Sequence, residues 1–200
     1  MLIYRLTGMI MIQNSILWDI KTFQRMRNVG VMKSSFQVRS LDVPQADSLP
    51  AIRMVVAAVD AGCCGVSAIS KGTTFSERHV RYRLQAARIL GLLDEKLAIT
   101  TRGKNLINTN LGSEEEVQVL QACVRNSAIL RLLAPDLLKD QRLDRIGVSK
   151  SIQAATGLSP ATADRRASVL RAWQRQLVEI ETKEKHSNET RSSIQAKAVP

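Results

Sequence analysis

The stretch FSERHVRYRLQAARILGLLDEKLAITTRGKNLI, residues 75–107, decides the fold prediction for this chain of 200 residues. It has the pattern of an arginine-rich helix, a short β-hairpin and the start of another helix. Val80, Leu84 and Ala87 recur at helical spacing and predict a buried stripe along the first helix. Most of its arginines fall off that stripe. The segment therefore predicts an amphipathic helix with one apolar side and one cationic side.

Two further helices are predicted before this stretch. Asp47 or Ser48 supplies an N-cap for the first of them, and Gly62 ends it. A short second helix is predicted from Val66 to Ile69. The expected order over residues 41–110 is therefore helix, helix, helix, hairpin, helix, in a mainly α fold with a small β-hairpin wing.

This order resembles the winged helix-turn-helix family of DNA-binding domains, over about residues 45–110. Three segments carry the resemblance: the recognition helix at 76–90, the run AARILGLLD that leads into the wing, and LAITTRGKNLI, which is similar to the family's "Leu-Thr-x-x-Gly" exit from the wing, with Ile99 in place of the leucine. The resemblance implies that the helix at 76–90 enters a DNA groove and that the hairpin is the wing.

A second helix-turn-helix module is predicted over residues 111–182. The run SKSIQAATGLSPATADRRASVLRAWQRQLVEI predicts a short helix from Ser151 to Thr156, a turn at Gly157 and a second recognition helix over 159–180, with Pro160 in its first turn. Its "T-x-x-R-R-A-S" run before a tryptophan resembles winged-helix segments of restriction–modification proteins. No wing is predicted after Ile180, so the two modules of this tandem arrangement are not equivalent.

The two ends of the chain lack the pattern of a folded domain. Residues 1–40 are predicted to be a poorly ordered leader, and Met32 is an alternative start, so the sequence leaves open whether residues 1–31 belong to the native protein. Residues 183–200 are polar and uncapped, which predicts a disordered tail.

The distribution of charge favours a polyanionic partner. The net charge is +11 and the pI is near 10.1, which points to nucleic acid or an anionic membrane. Residues 71–110 and 139–175 each hold eight Lys/Arg and three Asp/Glu, whereas residues 111–138 between them hold two and four. The positive charge is therefore concentrated on the two predicted helix-turn-helix modules.

Several classes of protein are disfavoured by what the sequence lacks. It has no run of eighteen apolar residues that would predict a membrane span. Cys63, Cys64 and Cys123 are an odd number without a secretory signal, which predicts reduced thiols in the cytoplasm. Association with the nucleoid is expected from the predicted DNA binding. No Gly-rich phosphate loop or metalloprotease motif occurs. We therefore expect no enzyme, no catalytic residue, no metal and no cofactor.

Candidate DNA contacts in the first module lie on and around the arginine-rich helix. Arginine reads guanine edges in the major groove, and neighbouring cations meet phosphates. The predicted base-reading residues are Arg78, Arg81 and Gln85. The predicted phosphate contacts are Lys71, Ser76, Arg83 and Arg88.

Two other candidates of the first module carry an equally plain structural interpretation. Tyr82 either stacks against DNA or packs against the protein, and Lys96 in the wing turn either reaches the DNA or is solvated. In the second module the candidates are Thr162, Arg165 and Arg166. Because Arg166 lies near the apolar stripe of its helix, a structural role is also plausible for it.

Two hypotheses for function follow from these patterns. The first is a sequence-specific regulator of transcription that binds double-stranded DNA as a homodimer on a palindromic site. The second is a non-enzymatic DNA-targeting or structural subunit of a restriction or chromosome/plasmid-maintenance complex. The sequence favours DNA contact in both, and it names neither the DNA site nor an effector.

Overall fold

The arginine-rich segment forms one of eight α-helices in the described part of the chain, which also contains one 3-10 helix and no β-strand. The computed structural model describes the backbone of residues 38–196 and the side chains of residues 38–178. The protein is therefore mainly helical. Its helices are α1 (Leu49–Asp60), α2 (Val66–Gly72), α3 (Glu77–Ile89), α4 (Thr101–Ile107), α5 (Glu114–Asn126), α6 (Ala128–Leu133), α7 (Arg145–Thr156) and α8 (Pro160–Ala196).

Side-chain caps explain where several helices begin. A hydroxyl oxygen at the N-cap accepts a backbone N–H from the first turn and so satisfies a donor that the helix leaves free. Ser48, Thr100 and Ser113 do this for α1, α4 and α5. Ser48 confirms the predicted start of the first helix. These starts are local properties of the sequence.

The prediction of a β-hairpin wing is wrong, because no pair of strands forms among the described residues. Leu93 and Ile99 form a single isolated antiparallel bridge. Both the N–H and the side chain of Asp94 close the turn immediately: the N–H donates to the Ala98 carbonyl, and a carboxylate oxygen accepts from the N–H groups of Lys96 and Ala98, each at 2.8 Å. Leu97 takes up a left-handed conformation, with φ of 65°. Since α4 starts at Thr101, no residues remain to extend a ladder.

Gly103 lets α4 pack directly on the residues that enter this turn. It is buried, and a Cβ there would meet the carbonyl oxygen of Leu92 and lie 2.7 Å from Cγ1 of Ile99. The Leu92 carbonyl also accepts the N–H of Thr100. The "x-x-Gly" part of the sequence pattern is thus a requirement for close backbone approach.

We expect Gly103→Ala to lower the free energy of unfolding by about 1–3 kcal/mol, because the added methyl group overpacks a site closed by backbone. Urea unfolding followed by circular dichroism measures this change. Gly72→Ala is the matched control: its Cβ would meet only the Cys63 sulfur at 3.6 Å, an ordinary contact. Equal stability of the two variants would contradict the packing role of Gly103.

The second half of the described chain contains a pair of tightly packed helices, α7 and α8. The first of them begins at Arg145, six residues before the predicted start at Ser151, because the Asp144 carboxylate caps it by accepting the N–H of Ile146. It ends where predicted, at a left-handed Gly157. The α8 backbone continues to Ala196 and so covers most of residues 183–200, where the sequence predicts a disordered tail.

The described residues share one hydrophobic core and belong to a compact unit that starts at Gln37. Trp173 of α8 is fully buried, and its indole N–H donates to the Ala46 carbonyl at 2.8 Å. Gln176 of α8 also bonds the backbone of residues 47 and 49. The carboxy-terminal helix thus packs on the segment that enters α1. The division into two domains near residue 110 stays a prediction.

A buried ion pair also joins the two halves. Nη1 of Arg53 on α1 lies 3.0 Å from Oε1 of Glu116 on α5, and the two side chains are only 13% and 7% exposed. Nη2 of Arg53 donates to the carbonyls of Ile107 and Thr109 at 3.2 and 2.6 Å. Arg53 therefore binds the end of α4 and the start of α5 to α1.

The predicted leader lies outside the described residues, apart from positions 38–40. Val38 is buried in the core, so the folded unit includes residues before position 41. None of the described helices is long and apolar enough to cross a membrane. The three cysteines are free, and burial raises the pKa of the Cys123 thiol to about 11.

Candidate nucleic-acid interface

A four-residue connection, Thr73–Ser76, joins α2 to α3. Two hydroxyl groups shape it: the Ser70 hydroxyl donates to the Phe75 carbonyl and the Thr73 hydroxyl to the Ile69 carbonyl, each at 2.8 Å. Two helices joined by so short a turn are the element that helix-turn-helix proteins use.

The predicted buried stripe of α3 is confirmed. Val80, Leu84 and Ala87 are 0–4% exposed. Arg78, His79 and Arg81 are exposed, as is Ser76 at the N-cap. The first two turns of α3 therefore present cationic side chains to solvent directly after the connection.

Arg78 and Arg81 have partners within α3 that leave them accessible. Nε of Arg78 donates to the Tyr82 hydroxyl at 2.8 Å, and its guanidinium carbon lies 5.5 Å from the ring centroid. Arg81 pairs with Glu77 at 2.9 Å, and the two side chains are 61% and 48% exposed. Exposed pairs of this kind contribute little stability, so a competing anion displaces them at small cost.

Two of the predicted phosphate contacts are instead engaged by the protein. The Arg83 guanidinium lies 3.9 Å from the centroid of the Phe75 ring, and burial lowers its pKa. Arg88 donates to the backbone carbonyls of Asp94 and Glu95 at 3.3 and 2.9 Å. Arg83 thus packs α3 against its preceding turn, and Arg88 holds the 94–98 turn against α3.

The remaining candidates around α3 differ in exposure. Lys71 and Lys96 are exposed, whereas Tyr82 and Gln85 are half-buried. The sequence-based prediction did not include Arg102, which is exposed on α4 and approaches Gly91 at the end of α3. Its place in the chain carries no signal for this, because the 94–98 turn determines how close α4 comes to α3.

A still shorter connection, residues 157–159, joins α7 to α8. Arg165 is exposed in the second turn of α8. Thr162 is half-buried, and its hydroxyl oxygen accepts a hydrogen bond from Ser159 at 3.0 Å. Arg145 at the start of α7 pairs with Asp164 at 3.1 Å. Arg165 is thus the most accessible of the predicted contacts on this helix.

Arg166 has a structural position. Only 5% of it is exposed, and it donates to the carbonyls of Ser40 and Val43. Burial lowers the pKa of its guanidinium, and the neighbouring charge of Arg165 lowers it further. Arg166 is therefore occupied in holding the residues before α1 on α8, and we leave it out of the candidate interface.

The accessible part of the candidate interface consists of Lys71, Ser76, Arg78, Arg81 and Lys96 around α3, and Arg165 on α8. In the described part of the chain, no three His, Cys, Asp or Glu side chains are grouped to hold a metal ion. No protein-family model, curated protein or solved structure matched this chain.

Proposed function

We propose that this protein binds double-stranded DNA sequence-specifically and regulates transcription, with α3 as its principal recognition helix. The observation that carries the proposal is the exposed pair Arg78 and Arg81, which stands in the first two turns of α3, directly after the four-residue connection from α2. A helix fits the major groove, and arginine bonds the O6 and N7 of guanine in bidentate fashion.

The surroundings of α3 support groove entry. Its partners Glu77 and Tyr82 hold Arg81 and Arg78 while both remain exposed. Lys71, at the end of α2, and Ser76 are placed beside the same end of α3 and are suited to phosphate contacts. We further propose a winged helix-turn-helix fold in which the 92–100 segment is a wing reduced to one bridge, with Lys96 at its turn.

The second helix-turn-helix, α7 and α8, supplies further contacts in this proposal through Arg165, with Thr162 beside it. The protein acts as a homodimer on a palindromic site, in the cytoplasm and without catalysis. Its charge supports the DNA proposal, because the net charge of +11 favours a polyanion at long range.

We expect Arg81→Ala to cost about 1–3 kcal/mol of binding free energy on the preferred site and to relax base preference there. The experiment selects bound fragments from genomic DNA and then measures affinity by fluorescence anisotropy at fixed salt. Arg131→Ala is the control: it removes the same charge from an exposed position on α6, a helix that carries none of the proposed contacts. Unchanged affinity and preference of Arg81→Ala would show that α3 is not the reading helix.

The same measurement separates the regulator from a targeting subunit. A regulator retains one discrete site at physiological salt, whereas non-specific binding is uniform across fragments and falls steeply with salt. Uniform binding of all fragments by the full chain would contradict the proposal of a transcriptional regulator. It would favour the non-enzymatic targeting or structural role.

A further inference from the structure

A cavity of about 360 Å³ lies between α8 and the loop that precedes α7, outside the candidate interface on α3. This volume is at the lower end of the range for small-ligand sites. Arginines from two separate parts of the chain face it. The described residues that line it are Asp140, Arg142, Arg171, Gln174, Arg175 and Val178.

Gln174 builds the wall of this cavity. It is only 5% exposed, and its amide makes three hydrogen bonds to the loop. Its Oε1 accepts the N–H of Leu143 at 2.7 Å, and its Nε2 donates to the carbonyls of Lys139 and Gln141, each at 2.9 Å. The loop residues Asp140 and Arg142 are thereby held beside the helix residues Arg171 and Arg175.

The lining carries an excess of positive charge. Among the described residues that line it, three guanidinium groups and one carboxylate give a net charge of +2. In the described part of the chain, the ion pairs involve other cations, so Arg142, Arg171 and Arg175 form none there. Arg142 and Arg175 are exposed, so water screens their repulsion, and an anion bound between the three guanidinium groups would gain attraction from each of them.

We propose that this cavity binds the phosphate monoester group of a small molecule. A phosphate monoester carries nearly two negative charges at neutral pH, which matches the lining, and its oxygens suit the fork of the arginine guanidinium. A DNA phosphodiester shares this chemistry but carries a single charge, so it would leave the lining half compensated. The site gives the protein a small-molecule effector, and it does not depend on DNA binding by α3.

The first experiment titrates inorganic phosphate into the full chain without DNA, at about pH 8 where the dianion dominates. We expect saturable binding by calorimetry and a rise in Tm of about 3 °C at ten times the Kd. Sodium chloride at matched ionic strength should give no such rise. No saturable binding of phosphate to the wild-type chain would overturn the proposal.

Variants then locate the site. Arg142→Gln, on the exposed loop, should weaken phosphate binding at least about tenfold. Arg171→Gln with Arg175→Gln should abolish it, while Arg131→Gln with Lys150→Gln, which removes the same charge elsewhere, should leave it unchanged. Retained far-UV circular dichroism checks that each variant folds. Equal weakening by the control pair would show a general charge effect and overturn the proposal.

Measuring DNA affinity of the same variants distinguishes the two sources of phosphate. If the cavity binds a small molecule, Arg142→Gln lowers phosphate affinity and leaves DNA affinity in phosphate-free buffer unchanged. If Arg142→Gln weakens DNA binding while phosphate does not bind the wild-type chain, the cavity holds a DNA backbone phosphate. The proposal of a small-molecule effector would then be wrong. Neither result affects the Arg81→Ala experiment, which tests DNA binding by α3 separately.

Discussion

We expect Arg53→Met to lower the free energy of unfolding by about 3–5 kcal/mol, since it removes one partner of a buried ion pair. The Glu116 side chain is only 7% exposed, so the variant would leave a buried carboxylate without its cationic partner. The carbonyls of Ile107 and Thr109 would also lose the Nη2 donor. Methionine keeps most of the volume, so the loss reports on charge and hydrogen bonding rather than on a cavity.

Urea unfolding of Arg53→Met, Glu116→Gln and the double variant tests this coupling in a double-mutant cycle. The double variant should recover much of the loss, because glutamine is neutral and can still accept the N–H that Gly112 donates to the Glu116 carboxylate. Glu77→Gln, which breaks the exposed pair with Arg81, is the control and should cost less than about 1 kcal/mol. Strict additivity of the two buried variants would contradict a coupled pair.

We expect Trp173→Ala to cost about 3–5 kcal/mol, the range for truncating a large buried aromatic side chain. Trp173 is fully buried on α8 and contacts the segment before α1 through its indole N–H and the Ala46 carbonyl. The variant loses buried apolar area and leaves that carbonyl without its donor. The attachment of residues 43–49 to α8 should weaken with it.

Far-UV circular dichroism in urea is the suitable measurement, since the variant removes the buried tryptophan on which a fluorescence signal would depend. Trp173→Phe is the graded control: it retains an aromatic ring but loses the indole N–H, so its cost should be clearly smaller. Identical unfolding midpoints for the alanine and phenylalanine variants would show that ring packing contributes nothing.

Local patterns in the sequence predicted much of the helical structure. The stripe of Val80, Leu84 and Ala87 is buried as predicted, and Ser48 caps α1. Helical spacing and capping act over a few residues, so the chain carries them without knowledge of the fold. The start of α7 at Arg145 lies six residues before the predicted one, because the Asp144 carboxylate caps the helix through the N–H of Ile146.

The wing prediction failed for a reason that is also local. Apolar residues on both sides of Asp94–Lys96 are typical of a hairpin. The Asp94 carboxylate instead accepts two backbone N–H groups, and the turn closes after one bridge. The pattern of apolar residues does not indicate that a side chain such as Asp94 will take the backbone N–H groups that a strand ladder needs.

The fold decided which arginines are accessible, in some cases through residues far away in the chain. Arg81 and Arg83 are two positions apart, yet one is exposed and the other lies on the Phe75 ring. Arg165 and Arg166 are neighbours, and only Arg166 reaches residues 40–43, more than 120 positions away. Residue type and spacing predicted a basic face, but they did not predict which of its arginines are bound by other groups of the protein.

By itself, the sequence determined the helical class, the amphipathic α3 and the concentration of positive charge in two segments, because these depend on periodicity, caps and composition. Only the tertiary structure decided that α8 packs on the entrance to α1, that Arg166 is buried, and that Arg142, Arg171 and Arg175 line one cavity. Those features depend on contacts between residues far apart in the chain, which no local pattern encodes.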